Sequence, residues 1–241
     1  MTEQLLNGDR ISRLEVRYVK IQFGKACYLL INENTPTIET ERLILRKFIE
    51  NDSDALFEIL SDKDVNTFLP WFPLKDINEA KLFLKERFLA YYNKPSIYRH
   101  AICLKEDNKP IGYVWLSDSE NHDFGYGLKK EFWHQGIVTE ASKAVIERIK
   151  HAGYTYITAT HDRNNPRSGA VMKKLGMIYK YSYIEQWQPK DISVTLECFN
   201  LISMAMKNEL IWSTGTDTKN ILPKIMSNYI YIMMLGSKAP L

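Results

Sequence analysis

The chain has little cysteine, only a slight surplus of positive charge and no hydrophobic run long enough to cross a bilayer. Its most apolar late stretch, Tyr229 to Leu235, falls far short of the roughly 20 residues that a spanning helix needs. The opening MTEQLLNGDR has no basic region followed by an apolar core, so no secretory signal is expected. The cysteines, Cys27, Cys103 and Cys198, lie far apart. Their odd number and spacing exclude a disulfide framework and a thiolate metal cluster, and point to reduced, mostly buried thiols in a cytoplasmic protein. Lys and Arg number 32 against 29 Asp and Glu, a net charge of +3 with no dense basic run. Nothing in that balance calls for nucleic acid or an anionic membrane, although it suits an anionic ligand. Internal repeats and low-complexity tracts are also missing. What is present, 241 residues with 45% hydrophobic and 25% charged, suits one large soluble domain with extensions.

The richest stretch runs from Asp123 to Gly176. Apolar and aromatic residues up to Leu128 predict a strand, and the chain then turns through Trp133-His134-Gln135-Gly136. Ala141, Ala144, Val145, Ile149 and Ala152 follow at helical spacing, and Gly153 suits the left-handed residue that ends a helix. A glycine-bearing turn feeding a helix start leaves backbone N–H groups free beside the positive end of the helix dipole, a seat for a phosphate or diphosphate. Tyr154 to Thr160 is β-branched and aromatic, hence a second strand. Asn165 then caps a short helix with Pro166 in its first position and Gly176 at its end. Ser168 falls in the first turn, where a hydroxyl can hold an anion such as a thiolate.

Around this centre the chain alternates simply. Arg42 to Phe48 reads as a strand, and Asn51 as the cap of a helix burying Ala55, Leu56, Ile59 and Leu60. The segment Asn66 to Leu74 holds Phe68, Trp71 and Phe72, which either line an acceptor pocket or cover the core. Asp76 with Glu79 resembles a capping box and opens a helix running to about Tyr92. Arg99–Lys105 and Pro110–Ser117 read as a hairpin, and Ile178–Trp187 and Ser193–Met204 as two late strands. The order gives an α/β (α+β) fold with a mixed sheet and helices on its faces. Before residue 37, Arg17 to Ile31 is strand-like, and from Trp212 onward no motif stands out.

Two successive strand–loop–helix units, one for a diphosphate and one offering a hydroxyl to sulfur, suit an acyl-coenzyme A. In their order and spacing GIVTEA (Gly136 to Ala141), NPRS (Asn165 to Ser168) and KKLGM (Lys173 to Met177) resemble the GNAT superfamily of N-acetyltransferases. Within it they resemble the ribosomal-protein-alanine acetyltransferase-like branch. The resemblance extends from Glu39 to about Asn208, and divides the chain into an N-terminal extension (1–36), an N-acetyltransferase domain (37–210) and a C-terminal extension (211–241). It implies a mostly antiparallel central sheet whose splayed parallel strands hold acetyl-CoA. It also implies direct acetyl transfer to a primary amine of a small molecule or of a protein or peptide N-terminus, by a monomer or homodimer. No metal is expected.

By the same resemblance, backbone groups of Tyr126, Gly127 and Leu128 pair with the pantetheine arm. Main-chain N–H groups of Trp133, His134, Gln135, Gly136, Ile137, Val138 and Thr139 wrap the diphosphate. Asn165 contacts the pantetheine and Ser168 lies near the sulfur. The loop departs from the family pattern at Trp133, His134 and Val138. Some relatives carry a glutamate five residues before the asparagine, and here that position is Thr160, which cannot act as a base. Asp123, His161 and Glu120 remain for that role; Asp123 is chosen because it opens the strand that splits around the cofactor. A non-catalytic acyl-CoA-binding module is the alternative that these departures allow.

Overall fold

The computed structural model describes residues 34–94 and 98–202. Cys27, the strand-like stretch Arg17 to Ile31 and the tail from Trp212 lie outside the described residues. Strands β1 (Ile38–Glu39), β2 (Leu43–Arg46), β3 (Tyr98–Leu104), β4 (Pro110–Leu116) and β5 (Phe124–Leu128) form an antiparallel sheet in chain order. A second sheet places β8 (Ile192–Ile202) between β6 (Tyr156–Asp162) and β7 (Ile178–Trp187), again antiparallel. Among the described residues the two sheets are joined by one parallel bridge, Asp123 to Thr158. There the Thr158 amide donates to His122 O at 3.1 Å and its hydroxyl to Asn121 O at 2.9 Å. From that vertex β5 and β6 diverge, so a fork opens between strands that begin side by side.

Helices α1 (Ser53–Leu60), α2 (Lys63–Asn66) and α3 (Ile77–Arg87) lie between β2 and β3 in the chain. Leu56, Ile59, Leu84 and Phe88 from this region pack with Phe48, Ala101 and Tyr113 on one face of the first sheet. Helix α4 (Ile137–His151) covers the other face, its Ala141, Val145 and Ile149 meeting Leu43, Leu45, Tyr98, Ile102, Val114 and Phe124. Both faces are therefore buried, which is why β4 reads as a nearly continuous apolar run and why even Arg99 and His100 of β3 are buried. Helix α5 (Pro166–Lys174) joins the α4 core through Met172, and β8 through Phe199. Gly153 and Gly176 take the left-handed backbone (φ +89° and +81°) expected where α4 and α5 end. Cys103 and Cys198 are free and buried, as expected of them. No described helix is long and apolar enough to cross a membrane.

Two local expectations give way to tertiary contacts. Asn51 does not cap α1, which is preceded by a short 3-10 turn over Glu50–Asp52. Asp52 stands at the head of α1, but its carboxylate makes no cap bond to that helix: it accepts from the Ile49 amide at 2.8 Å, while Arg46 on β2 donates to it at 2.7 and 3.0 Å. The helix expected to run to Tyr92 stops at Arg87. Phe88 leaves helical geometry, its ring drawn between Phe48 and Tyr113 at centroid distances of 4.4 and 5.9 Å. The buried Arg99 side chain also takes the Arg87 carbonyl at 2.5 Å and stacks on Tyr91.

Candidate active site

Strand alternation sorts the site onto two faces of the fork. Asp123, Gly125 and Gly127 point to the α1/α3 side, whereas Phe124, Tyr126 and Leu128 point to the α4 side. At Gly127 a Cβ would stand 2.4 Å from the Tyr113 ring, so only glycine lets that ring lie flat across the strand. Asp123 sits at the vertex. Its Oδ1 is buried and finds no hydrogen-bond partner among the described residues. Burial, with Glu185 close enough to repel it, pushes this carboxyl up to about 7.

On the opposite face the Tyr126 hydroxyl reaches Ser168 in the first turn of α5. It donates to the Ser168 carbonyl at 2.9 Å and shares a second 2.9 Å bond with Ser168 Oγ. Since the phenol hydrogen is committed to the carbonyl, the serine hydrogen is the one between the two oxygens. Burial raises the Tyr126 phenol to about 12, which keeps it a donor. Asn165 caps α5 as expected, its Oδ1 accepting from the Ser168 amide at 3.3 Å. That leaves its Nδ2 for a ligand.

The loop before α4 is more tightly tied than its sequence suggests. After a 3-10 turn over Lys130–Phe132, the Trp133 indole folds back and donates to Leu128 O at 2.9 Å. The Leu128 carbonyl thus already accepts one bond, with a second lone pair remaining. His134 holds a left-handed backbone at φ +63°, unusual for a residue with a Cβ, and Gly136 follows at φ +76° as the cap of α4. The cap has no side-chain hydrogen bond, and the first-turn amides of Ile137, Val138 and Thr139 have no intrahelical acceptor. The Ile137 side chain is buried in the core, so only its amide can serve a ligand.

Two of the three base candidates separate from the centre. His161 lies beneath α5, with Nδ1 2.8 Å from Asp162 O and its ring against Gly169 and Phe199. Glu120 is exposed in the turn before β5. Three residues missed by sequence reasoning join the site. Arg167 stacks on Trp133 with its guanidinium carbon 4.5 Å from the ring centroid, which bridges the two strand–loop–helix units. Arg42 bonds Gln135 O and Glu140 beside the loop. Glu185 comes near Asp123 from β7. Only Arg167, as the residue between Pro166 and Ser168, carried a local signal; the others arrive from distant parts of the chain. Trp71 and Phe72 line a groove of about 260 Å³ on the outer side of α3 with Leu74, Leu82 and Phe83, and Phe68 is not part of it.

Residues 42–178 match the acetyltransferase (GNAT) domain family. The chain belongs to that family. This GNAT acetyltransferase is 26% identical over 169 residues to the N-acetyltransferase YoaA of Bacillus subtilis, covering 66% of the chain and 94% of the relative. Among solved structures it resembles a GNAT-family acetyltransferase from Bacillus anthracis, with a TM-score of 0.60, 22% identity and coverage of 69% and 98%. It also resembles a ribosomal-protein α-N-acetyltransferase in complex with coenzyme A, with a TM-score of 0.59, 18% identity and coverage of 69% and 98%. These likenesses agree on the fold, an antiparallel pair of sheets forked around a cleft. Acetyl-CoA is the acetyl donor of the family, and the residues here fit it. A Cβ built on Gly136 meets nothing nearer than Arg42 Nη2 at 3.9 Å, so the space beside the free α4 amides is open.

Proposed function

We propose that this acetyltransferase moves an acetyl group from acetyl-CoA directly to a primary amine, that of a small molecule or of a protein or peptide N-terminus. One observation carries the reading: a carboxyl with a buried, unpartnered oxygen and a hydroxyl pair stand on opposite faces of the same fork. In this reading the free amides of Gly136 through Thr139 and the loop before them hold the diphosphate, with the Arg167 guanidinium at its edge. Main-chain groups of Tyr126 and Gly127, and the Asn165 amide, hold the pantetheine arm in the fork.

The chemistry divides between the faces. Asp123, on the α1/α3 face, takes the proton that the amine must lose as it attacks the thioester carbonyl. A carboxyl near 7 suits that work at neutral pH, since a base with the ordinary carboxylate range would accept a proton less readily. The C–S bond breaks as the C–N bond forms, and Ser168 turns its hydrogen from Tyr126 to the departing sulfur. The peptide N-terminus is favoured by the ribosomal-protein relative. The exposed Ile178, Tyr179 and Ile184 on edge strand β7 offer a surface for a homodimer, which sedimentation velocity would separate from a monomer.

Calorimetric titration with acetyl-CoA, followed by thiol release against a panel of small amines and N-terminal peptides, tests the proposal. Binding with amine-dependent thiol release is expected. Binding without release from any amine or peptide would remove the acceptor assignment.

A further inference from the structure

We propose that Arg42, in the bend just before β2, is a positioning residue that sets the diphosphate loop in its binding geometry. The inference rests on reading that loop as the seat of the acetyl-CoA diphosphate. Glu140 stands in the first turn of α4, where a free carboxylate would occupy the positive end of the helix and repel a ligand anion. Here both of its oxygens are drawn toward the turn between β1 and β2 instead. The Thr40 hydroxyl donates to Oε1 at 2.6 Å and the Arg42 amide at 3.1 Å, while Arg42 Nε and Nη2 meet Oε2 at 2.8 and 2.7 Å. Burial raises the Glu140 carboxyl, but the bonds from Thr40 and Arg42 outweigh it and hold the group below its ordinary value.

The remaining nitrogen acts on the loop itself. Arg42 Nη1 donates to Gln135 O at 3.1 Å. A trans peptide is planar, with its C=O and N–H pointing in opposite directions. Fixing the Gln135 carbonyl toward Arg42 therefore aims the Gly136 N–H away from it, toward the open side of the loop. One guanidinium thus neutralises the competing carboxylate and orients the first donor of the seat. A salt bridge placed only for stability would account for the Glu140 contacts and leave the Gln135 contact without a purpose.

The test compares acetyl-CoA with acetyl-pantetheine, which carries the same thioester and lacks the diphosphate. KM and kcat are measured for both donors in the wild type, in Arg42→Gln and in Arg42→Gln/Glu140→Gln. The single variant should raise KM for acetyl-CoA by roughly tenfold, the scale of one charge-assisted hydrogen bond, with kcat little changed. Its KM for acetyl-pantetheine should stay at the wild-type value. The double variant should recover part of the loss, because no unpaired carboxylate is left at the helix end. Equal weakening toward both donors, or unchanged KM for acetyl-CoA, would overturn the role of Arg42. A wild type that does not prefer acetyl-CoA would instead overturn the loop reading, and this inference with it.

Discussion

At Ser168 a single hydroxyl has two neighbours to serve, the Tyr126 phenol it bonds now and the sulfur it would meet during transfer. Ser168→Ala should lower kcat by roughly ten- to a hundredfold with acetyl-CoA affinity little changed, as expected for one positioned donor. A wild-type turnover number would show the hydroxyl to be idle. Asp123 is the complementary case. With its carboxyl near 7, the pH–rate profile at saturating amine should contain an ascending limb close to neutrality. Asp123→Asn should remove that limb along with most of the activity; a variant retaining the limb would move the base elsewhere.

Elements here are ended and oriented by side chains from other elements. The buried pair Arg46–Asp52 joins β2 to the start of α1, with side chains 16% and 7% exposed, and Asp52 also holds the Ile49 amide. Asp52→Asn leaves the guanidinium without its counterion and should destabilise the domain by about 3 kcal/mol, read as a lower urea midpoint. An unchanged midpoint would mean that the pair contributes nothing net. The loop into α4 offers a second test. Gly136 has a positive φ and faces open space, so Gly136→Trp both strains the turn and fills the seat. Calorimetric binding of acetyl-CoA should disappear in this variant while the folded state persists; unaltered affinity would place the diphosphate elsewhere.

For the whole molecule, two buried titrating groups oppose each other. His100 is fully buried with Nε2 2.9 Å from Pro36 O, and burial lowers it to about 4 from 6.5. Its folded value lies below its unfolded one, so its contribution is present above about 6.5 and is lost as pH falls toward 4. Asp123 is raised instead. Its contribution is present below 3.8 and is lost as pH rises through about 7. Between those limits the two slopes offset, and wild-type stability should vary little. Asp123→Asn removes one slope, so the variant should become steadily more stable from pH 4 to 6.5 in urea titrations. Parallel profiles for the two proteins would show that Asp123 does not titrate as described.

Much of this protein was determined by local sequence. The caps at Asp76 and Asn165, the left-handed ends at Gly153 and Gly176 and the apolar face of α4 depend on residues within a few positions of one another. Steric and hydrogen-bond rules act at that range, and the motif order around Gly136 and Asn165 already pointed to the family. Only the tertiary structure decided which groups meet. Asn51 lost its cap because Arg46 and Asp52 found each other, and α3 stopped at Arg87 because Phe88 and Arg99 had partners on the sheet. The Leu128 carbonyl met an indole five residues away, and Thr40, Arg42 and Glu140 were joined across about a hundred positions. Long-range pairings leave no periodicity in the chain, and charge gains its meaning only where burial and a second charge are set beside it.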